Sequence, residues 1–139
     1  MMNLSLVGVT YKKVKSIAQK IANLLNAEYV DARALFDEDL VSSFDVPMLD
    51  ADMVLENKET VLIKRLMTLE DTVISFPDDM FLSNGHYKNM ENSFKILVKC
   101  NENDEILAKI EKFLEKLVDI SVNFENFDEN SILKILKKN

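Results

Sequence analysis

The chain of 139 residues predicts an α/β fold: a three-layer α/β/α sandwich around a five-stranded parallel sheet, built as a single domain over 1–139. Two observations carry that expectation. Short runs rich in Val, Ile and Phe alternate along the chain with segments whose apolar residues recur at helical spacing. Each strand candidate is also separated from the next by a helical pattern, and strands joined that way pair in parallel through right-handed crossovers. No linker, repeat or low-complexity stretch interrupts the alternation.

The elements follow in order. LSLVG (4–8) is an apolar strand ending in Gly8. The helix after it places Ile17, Ile21, Leu24 and Leu25 at the i, i+4, i+7, i+8 spacing of a core-facing stripe. EYVD (28–31) is a second strand, ending in Asp31. Residues 37–55 read as an acidic loop with partial helix, followed by a helix around 56–69 that carries Leu62, Leu66 and Leu69. DTVISF (71–76) and FKILVK (94–99) are the third and fourth strands, the third leading into a turn at Pro77. A helix over 102–117 aligns Ile106, Ile110, Phe113, Leu114 and Leu117 toward the core. DISVNF (119–124) is the fifth strand. The last helix, 129–138, carries Ile132, Leu133 and Leu136, with Asp128 as N-cap and lysines in its final turn.

Composition narrows the function. Hydrophobic residues make up 47% and charged residues 29%, the balance of a soluble globular protein. A formal charge of −7 argues against nucleic acid or an anionic membrane as partner, since both need a basic face. No apolar run approaches the roughly 20 residues that cross a bilayer, and the start lacks a signal-peptide pattern, so the expected location is cytoplasmic. Cys100 and His86 are each the only residue of their type, which removes a disulfide framework, a Cys/His metal cluster and a Ser-His-Asp triad. Seven methionines read as adaptable core filler.

The first strand–loop–helix unit has the outline of a nucleotide phosphate site. A phosphate-cradling loop needs glycines, because its backbone N–H groups turn inward with no room for a Cβ. Here the residues after Gly8 are Val-Thr-Tyr-Lys-Lys-Val-Lys, and the only other glycine is Gly85.

Over nearly its whole length the chain resembles the shikimate kinase family of P-loop kinases. Laid on that family without a gap, Gly8 matches the first loop glycine and Ser16 the loop's final Ser/Thr. Ile17, Ile21 and Ala22 match the helix, and Asp31 the first aspartate of the family's Asp-x-Asp. TVISFPDDMFLSN is similar to the third strand and its triple-glycine substrate loop, and FKILVKCNENDEILAKI to the fourth strand and next helix. LEKLVDISVNFENFDENSILKIL resembles the C-terminal stretch. The resemblance implies a P-loop-kinase fold and, for an intact member, Mg-ATP and phosphoryl transfer to a hydroxyl.

The departures fall on the chemistry. Lys13 stands for the glycine before the catalytic lysine and Val14 for the lysine itself; a one-residue slip restores Lys15 but not the glycine. Arg33 replaces the second aspartate, and the substrate-carboxylate arginine falls near Leu55-Glu56. Pro77-Asp78-Asp79 replaces the triple glycine, and the lid with its Arg-Pro signature has no counterpart.

Two readings stand for each candidate site. Lys12, Lys13, Lys15 and Ser16 at the helix start form a residual anion site or a solvated lysine cluster. Asp31, Asp78 and Asp79, at the carboxyl ends of strands, form a substrate or Mg²⁺ rim, or a cap and a solvated turn. Tyr11 stacks on a base or fills the space a nucleotide would take. The expected function is a degenerate, catalytically inactive shikimate-kinase-like protein with a binding or regulatory role and no cofactor, acting through a protein partner or a homo-oligomer. The alternative is a divergent ATP-dependent small-molecule kinase that uses Mg-ATP through Lys15 and Ser16.

Overall fold

A computed structural model describes residues 3–43 and 51–138. Five strands form one sheet: β1 (Leu4–Gly8), β2 (Glu28–Asp31), β3 (Thr72–Pro77), β4 (Phe94–Lys99) and β5 (Ile120–Asn123). Their order is β2-β3-β1-β4-β5 and every pairing is parallel. The helices are α1 (Tyr11–Leu25), α2 (Ala32–Ser43), α3 (Ala51–Leu66), α4 (Asp78–Leu82), α5 (Glu105–Glu115) and α6 (Glu129–Lys138), with a 3-10 segment, Ser83–Met90, after α4. The α/β sandwich and parallel sheet are therefore those the sequence predicts. None of the described helices is long and apolar enough to cross a membrane.

The central strands β1 and β3 are buried at every position, the signature of a parallel sheet covered on both faces. Alternation along β1 divides the core. Leu4 and Leu6 point to one face, where Val14, Ile17, Ala18, Ile21 and Ala22 of α1 and Ile132 of α6 pack. Val7 points to the other, against Ala32 and Phe36 of α2, Leu62, Ile63 and Leu66 of α3, Met80 and Phe81 of α4, and Leu114 of α5. α1 stops at Asn26, whose φ of 54° is the left-handed conformation that closes a helix; Ala27 N–H then reaches back to the Ala22 carbonyl at 2.9 Å.

Three expectations change. The acidic stretch after β2 is helical from Ala32 to Ser43, while the part at 44–50 lies outside the described residues, as do the side chains of Leu55 and Glu56. Leu62 and Leu66 are core residues, but α3 ends at Leu66 and leaves Leu69 exposed. The third change concerns α5, where Ile106 and Phe113 are 69% and 48% exposed instead of facing the core. The helix meets the core through Ile110, Leu114 and Leu117, and Glu111 turns inward so that its Oε2 accepts the Cys100 N–H at 3.0 Å. That rotation lifts Ile106 and Phe113 into solvent.

Candidate functional site

After β1 the chain passes to the face of α1, and after β3 to the face of α4. Adjacent parallel strands whose connections leave in opposite directions open a crevice at their carboxyl ends, where α/β folds bind ligands. Gly8 of β1 and Pro77 of β3, paired in register, form its floor.

Only Val9 and Thr10 separate β1 from α1. The seven residues after Gly8 thus form two linker residues and the first turn and more of a helix. The Thr10 carbonyl accepts the N–H groups of Lys13 (3.0 Å) and Val14 (3.1 Å), so these amides serve the helix. Val14 is fully buried. A Cβ on Gly8 would lie 2.9 Å from Val14 Cγ2 and 2.7 Å from the Val98 carbonyl oxygen, so a close approach of α1 to β1 and β4 requires this glycine.

The lysines part in two directions. Lys13 Nζ lies 3.3 Å from Glu102 Oε1, which also accepts the Thr10 hydroxyl at 2.8 Å. These bonds, Thr10 first and Lys13 second, hold the Glu102 carboxyl below its usual range. Lys15 turns the other way, its Nζ 4.0 Å from Asp31 Oδ2 and 5.5 Å from the Tyr11 ring centroid. Lys12 is exposed, and Ser16 is half-buried in the second turn of α1. α1 carries no acidic residue in its first turn, so Glu102 supplies from another element the negative charge that a helix start favours.

Tyr11 opens α1 and crosses the crevice. Its hydroxyl donates to Asp31 Oδ1 at 2.5 Å and lies 2.9 Å from Ser75 Oγ, which Tyr29 Oη meets at 2.8 Å. Burial, then the hydrogen bond to Asp31, pushes the Tyr11 phenol far above its ordinary value, so it stays a donor. Asp31 Oδ1 also accepts the Ala34 N–H at 3.1 Å, capping α2. Arg33 links Asp37 (3.4 Å) with Asp79 (3.8 Å). Asp78 Oδ1 and Asp79 Oδ1 each accept the next residue's N–H at 2.9 Å, and burial chiefly raises the Asp78 carboxyl. Asp31 and Asp79 are thus each set against a cation, Lys15 and Arg33. Among the described residues no group of three His, Cys, Asp or Glu side chains is placed to hold a metal.

Sequence reasoning missed one polar pair beside this rim. His86, 2% exposed, has Nδ1 at 3.0 Å from Glu59 Oε1 and 3.1 Å from the Met80 carbonyl oxygen, with Nε2 3.1 Å from Thr60 Oγ1. One N–H is shared between two acceptors, which leaves Glu59 Oε1 without a well-directed hydrogen bond. Burial is the main reason the Glu59 carboxyl is raised, with His86 opposing it. The pair ties α3 to the segment after β3. No local motif announces it, because the partners stand 27 positions apart on different elements.

The fold and crevice define a class: an α/β domain with the P-loop-kinase architecture. Within it the chain is similar to shikimate kinases. It matches the Aquifex aeolicus enzyme with a TM-score of 0.70 at 16% identity, over 98% of this chain and 95% of that one. The Acinetobacter baumannii shikimate kinase, solved with shikimate, gives 0.66 at 12% identity over 99% and 94%. A gluconokinase from Sinorhizobium meliloti 1021 gives 0.54 at 14% identity over 95% and 87%. No protein-family profile and no curated protein sequence matches the chain.

Mg-ATP, the cofactor implied by these neighbours, does not fit the residues present. A phosphate cradle needs inward-facing amides on a glycine-rich loop and a lysine reaching the phosphates. Here the junction is two residues long, Val14 is buried against Gly8, and Lys13 and Lys15 face Glu102 and Asp31.

Proposed function

We propose that this protein is a catalytically inactive, shikimate-kinase-like scaffold whose role is binding or regulation. The observation that carries the reading is the β1–α1 junction, where the chain's own side chains take up the groups that would meet a phosphate. Glu102 holds Thr10 and Lys13 at 2.8 and 3.3 Å, and Val14 fills the approach over Gly8. Phosphoryl transfer rests on positioning and charge stabilisation, and a site that has lost its cradle and its lysine supplies neither.

Titration calorimetry with Mg-ATP and Mg-ADP tests this. The expected result is no binding heat and no rise in melting temperature with either nucleotide. A micromolar dissociation constant that disappears in Lys15→Ala would overturn it in favour of the divergent kinase, and small alcohols would then be screened for phosphoryl transfer.

A further inference from the structure

The exposed apolar pair on α5 is the strongest feature that the crevice leaves unexplained. Ile106 and Phe113 are the two most exposed large hydrophobic side chains among the described residues, at 69% and 48%. They stand seven positions apart, hence two turns along one face, and continue the half-buried Ile110 and Leu117 beside them. A contiguous apolar stripe on a soluble domain marks an interaction surface.

Charge along the helix indicates the occupant. α5 starts at Glu105 behind its N-cap Asp104; Lys109 and Lys112 follow along it and Lys116 caps its end, while its other carboxylates are Glu111, which is buried, and Glu115. Glu115 is taken by Lys99 at 2.6 Å, whereas Lys112 and Lys116 have no carboxylate partner among the described residues. A helix acidic at its start and basic at its end complements a reversed copy of itself. Parallel pairing sets like charges together; antiparallel pairing sets Glu105 against the second copy's Lys112 and Lys116. The same two-fold lays Ile106 on the second copy's Phe113 and Phe113 on its Ile106, the self-complementary contact of a symmetric dimer. Lys109 falls near the axis, where its own Glu105, 3.9 Å away, accompanies it. The protein carries a net charge of −7, so a second copy is repelled except where opposite charges can be set together, as antiparallel pairing of this helix does.

We infer that the protein forms a homodimer by antiparallel packing of α5 on α5, with Ile106 of each copy on Phe113 of the other, on either side of the two-fold. The inference is independent of the non-catalytic reading, because α5 self-pairing requires nothing of the β1–α1 junction. Sedimentation equilibrium over a hundredfold range of concentration should give a mass approaching twice 16.0 kDa. Phe113→Glu should remain folded by circular dichroism, since the side chain is half-exposed, and run as a monomer. Glu105→Lys and Lys116→Glu should each weaken the dimer by roughly three- to tenfold, and the double variant should recover it. A wild-type monomer throughout would overturn the proposal and leave a different protein as the occupant. A dimer unaffected by Phe113→Glu, or a double variant no tighter than the singles, would overturn it as well.

Discussion

The two faces of the sheet are held by different means. On the face of α1 and α6 the buried layer is apolar beneath the helices, where Leu4, Leu6, Val73, Ile96 and Val98 meet Val14, Ile17, Ile21 and Ile132. One polar cluster stands at its crevice end, Tyr11 and Tyr29 on Ser75. On the face of α2 to α5 an equally large apolar cluster is adjusted by buried polar side chains, Glu111 on the Cys100 amide and His86 between Glu59 and Thr60. Apolar packing is non-directional and tolerates small rotations, whereas a buried carboxylate fixes the rotation of its helix because an unmade hydrogen bond there is costly. The first face is therefore set mainly by periodicity, and the second in addition by pairs of residues far apart in the chain.

The largest expected effect lies on the first face. Val14→Lys, which restores a lysine where the resemblance would place it, puts an ammonium into the fully buried contact with Gly8. It should cost about 3–5 kcal/mol, the range for an uncompensated buried charge, read as a lower urea midpoint at unchanged slope. It should not produce ATP binding.

The polar face should respond to Glu59. Glu59→Ala leaves His86 without its carboxylate and should lower stability by about 1–3 kcal/mol in the same assay. The Glu59 carboxyl is raised above its ordinary value of 4.5, chiefly by burial, so the folded chain holds its proton more tightly than the unfolded chain. Its contribution is fully present below that value and falls as pH rises through the raised one. Glu59→Gln should flatten this part of the stability–pH curve; an unchanged slope would mean that the carboxyl is not held protonated.

Glu111→Ala should cost about 1–2 kcal/mol, because it strands the Cys100 N–H in a buried site. Glu111→Gln, whose amide oxygen can still accept, should lose less. Should the two variants be equal, the rotation of α5 is not set by this hydrogen bond.

The smallest effect on stability is expected at the exposed rim. The Glu102 carboxyl is lowered by Thr10 and Lys13, so its contribution is present above the ordinary glutamate value and lost as pH falls through the lowered one. Glu102→Ala frees Thr10 and Lys13, and inorganic phosphate should raise the melting temperature of that variant more than that of the wild type. Equal shifts would show that Glu102 does not occupy these groups.

The same contrast explains what was legible in the sequence. β1, β2 and β4 are found at the predicted residues: the fully buried β1 reads as a mostly apolar run, while the half-buried edge strand β2 was legible from its short apolar centre between polar ends. α6 is likewise as predicted, with Asp128 Oδ1 accepting the Asn130 and Ser131 N–H groups at 3.0 and 3.3 Å. α2 was hidden because its acidic sequence lacks a clear apolar stripe, although Ala32 and Phe36 are buried. Ile106 and Phe113 fit the helical stripe but not the rotation that Glu111 selects. At the crevice, the missing glycines were visible, while the partners of Thr10, Tyr11 and Lys13 were not. Glu102 lies 89 positions from Lys13, and only the sheet order brings β4 beside β1.

The central claim is that the β1–α1 junction is closed to phosphate. The most direct test is a two-dimensional amide NMR titration with Mg-ATP, following residues 8–16. The account predicts no shift of these amides at millimolar nucleotide. Saturable shifts confined to Gly8, Val9, Thr10 and the first turn of α1 would contradict it.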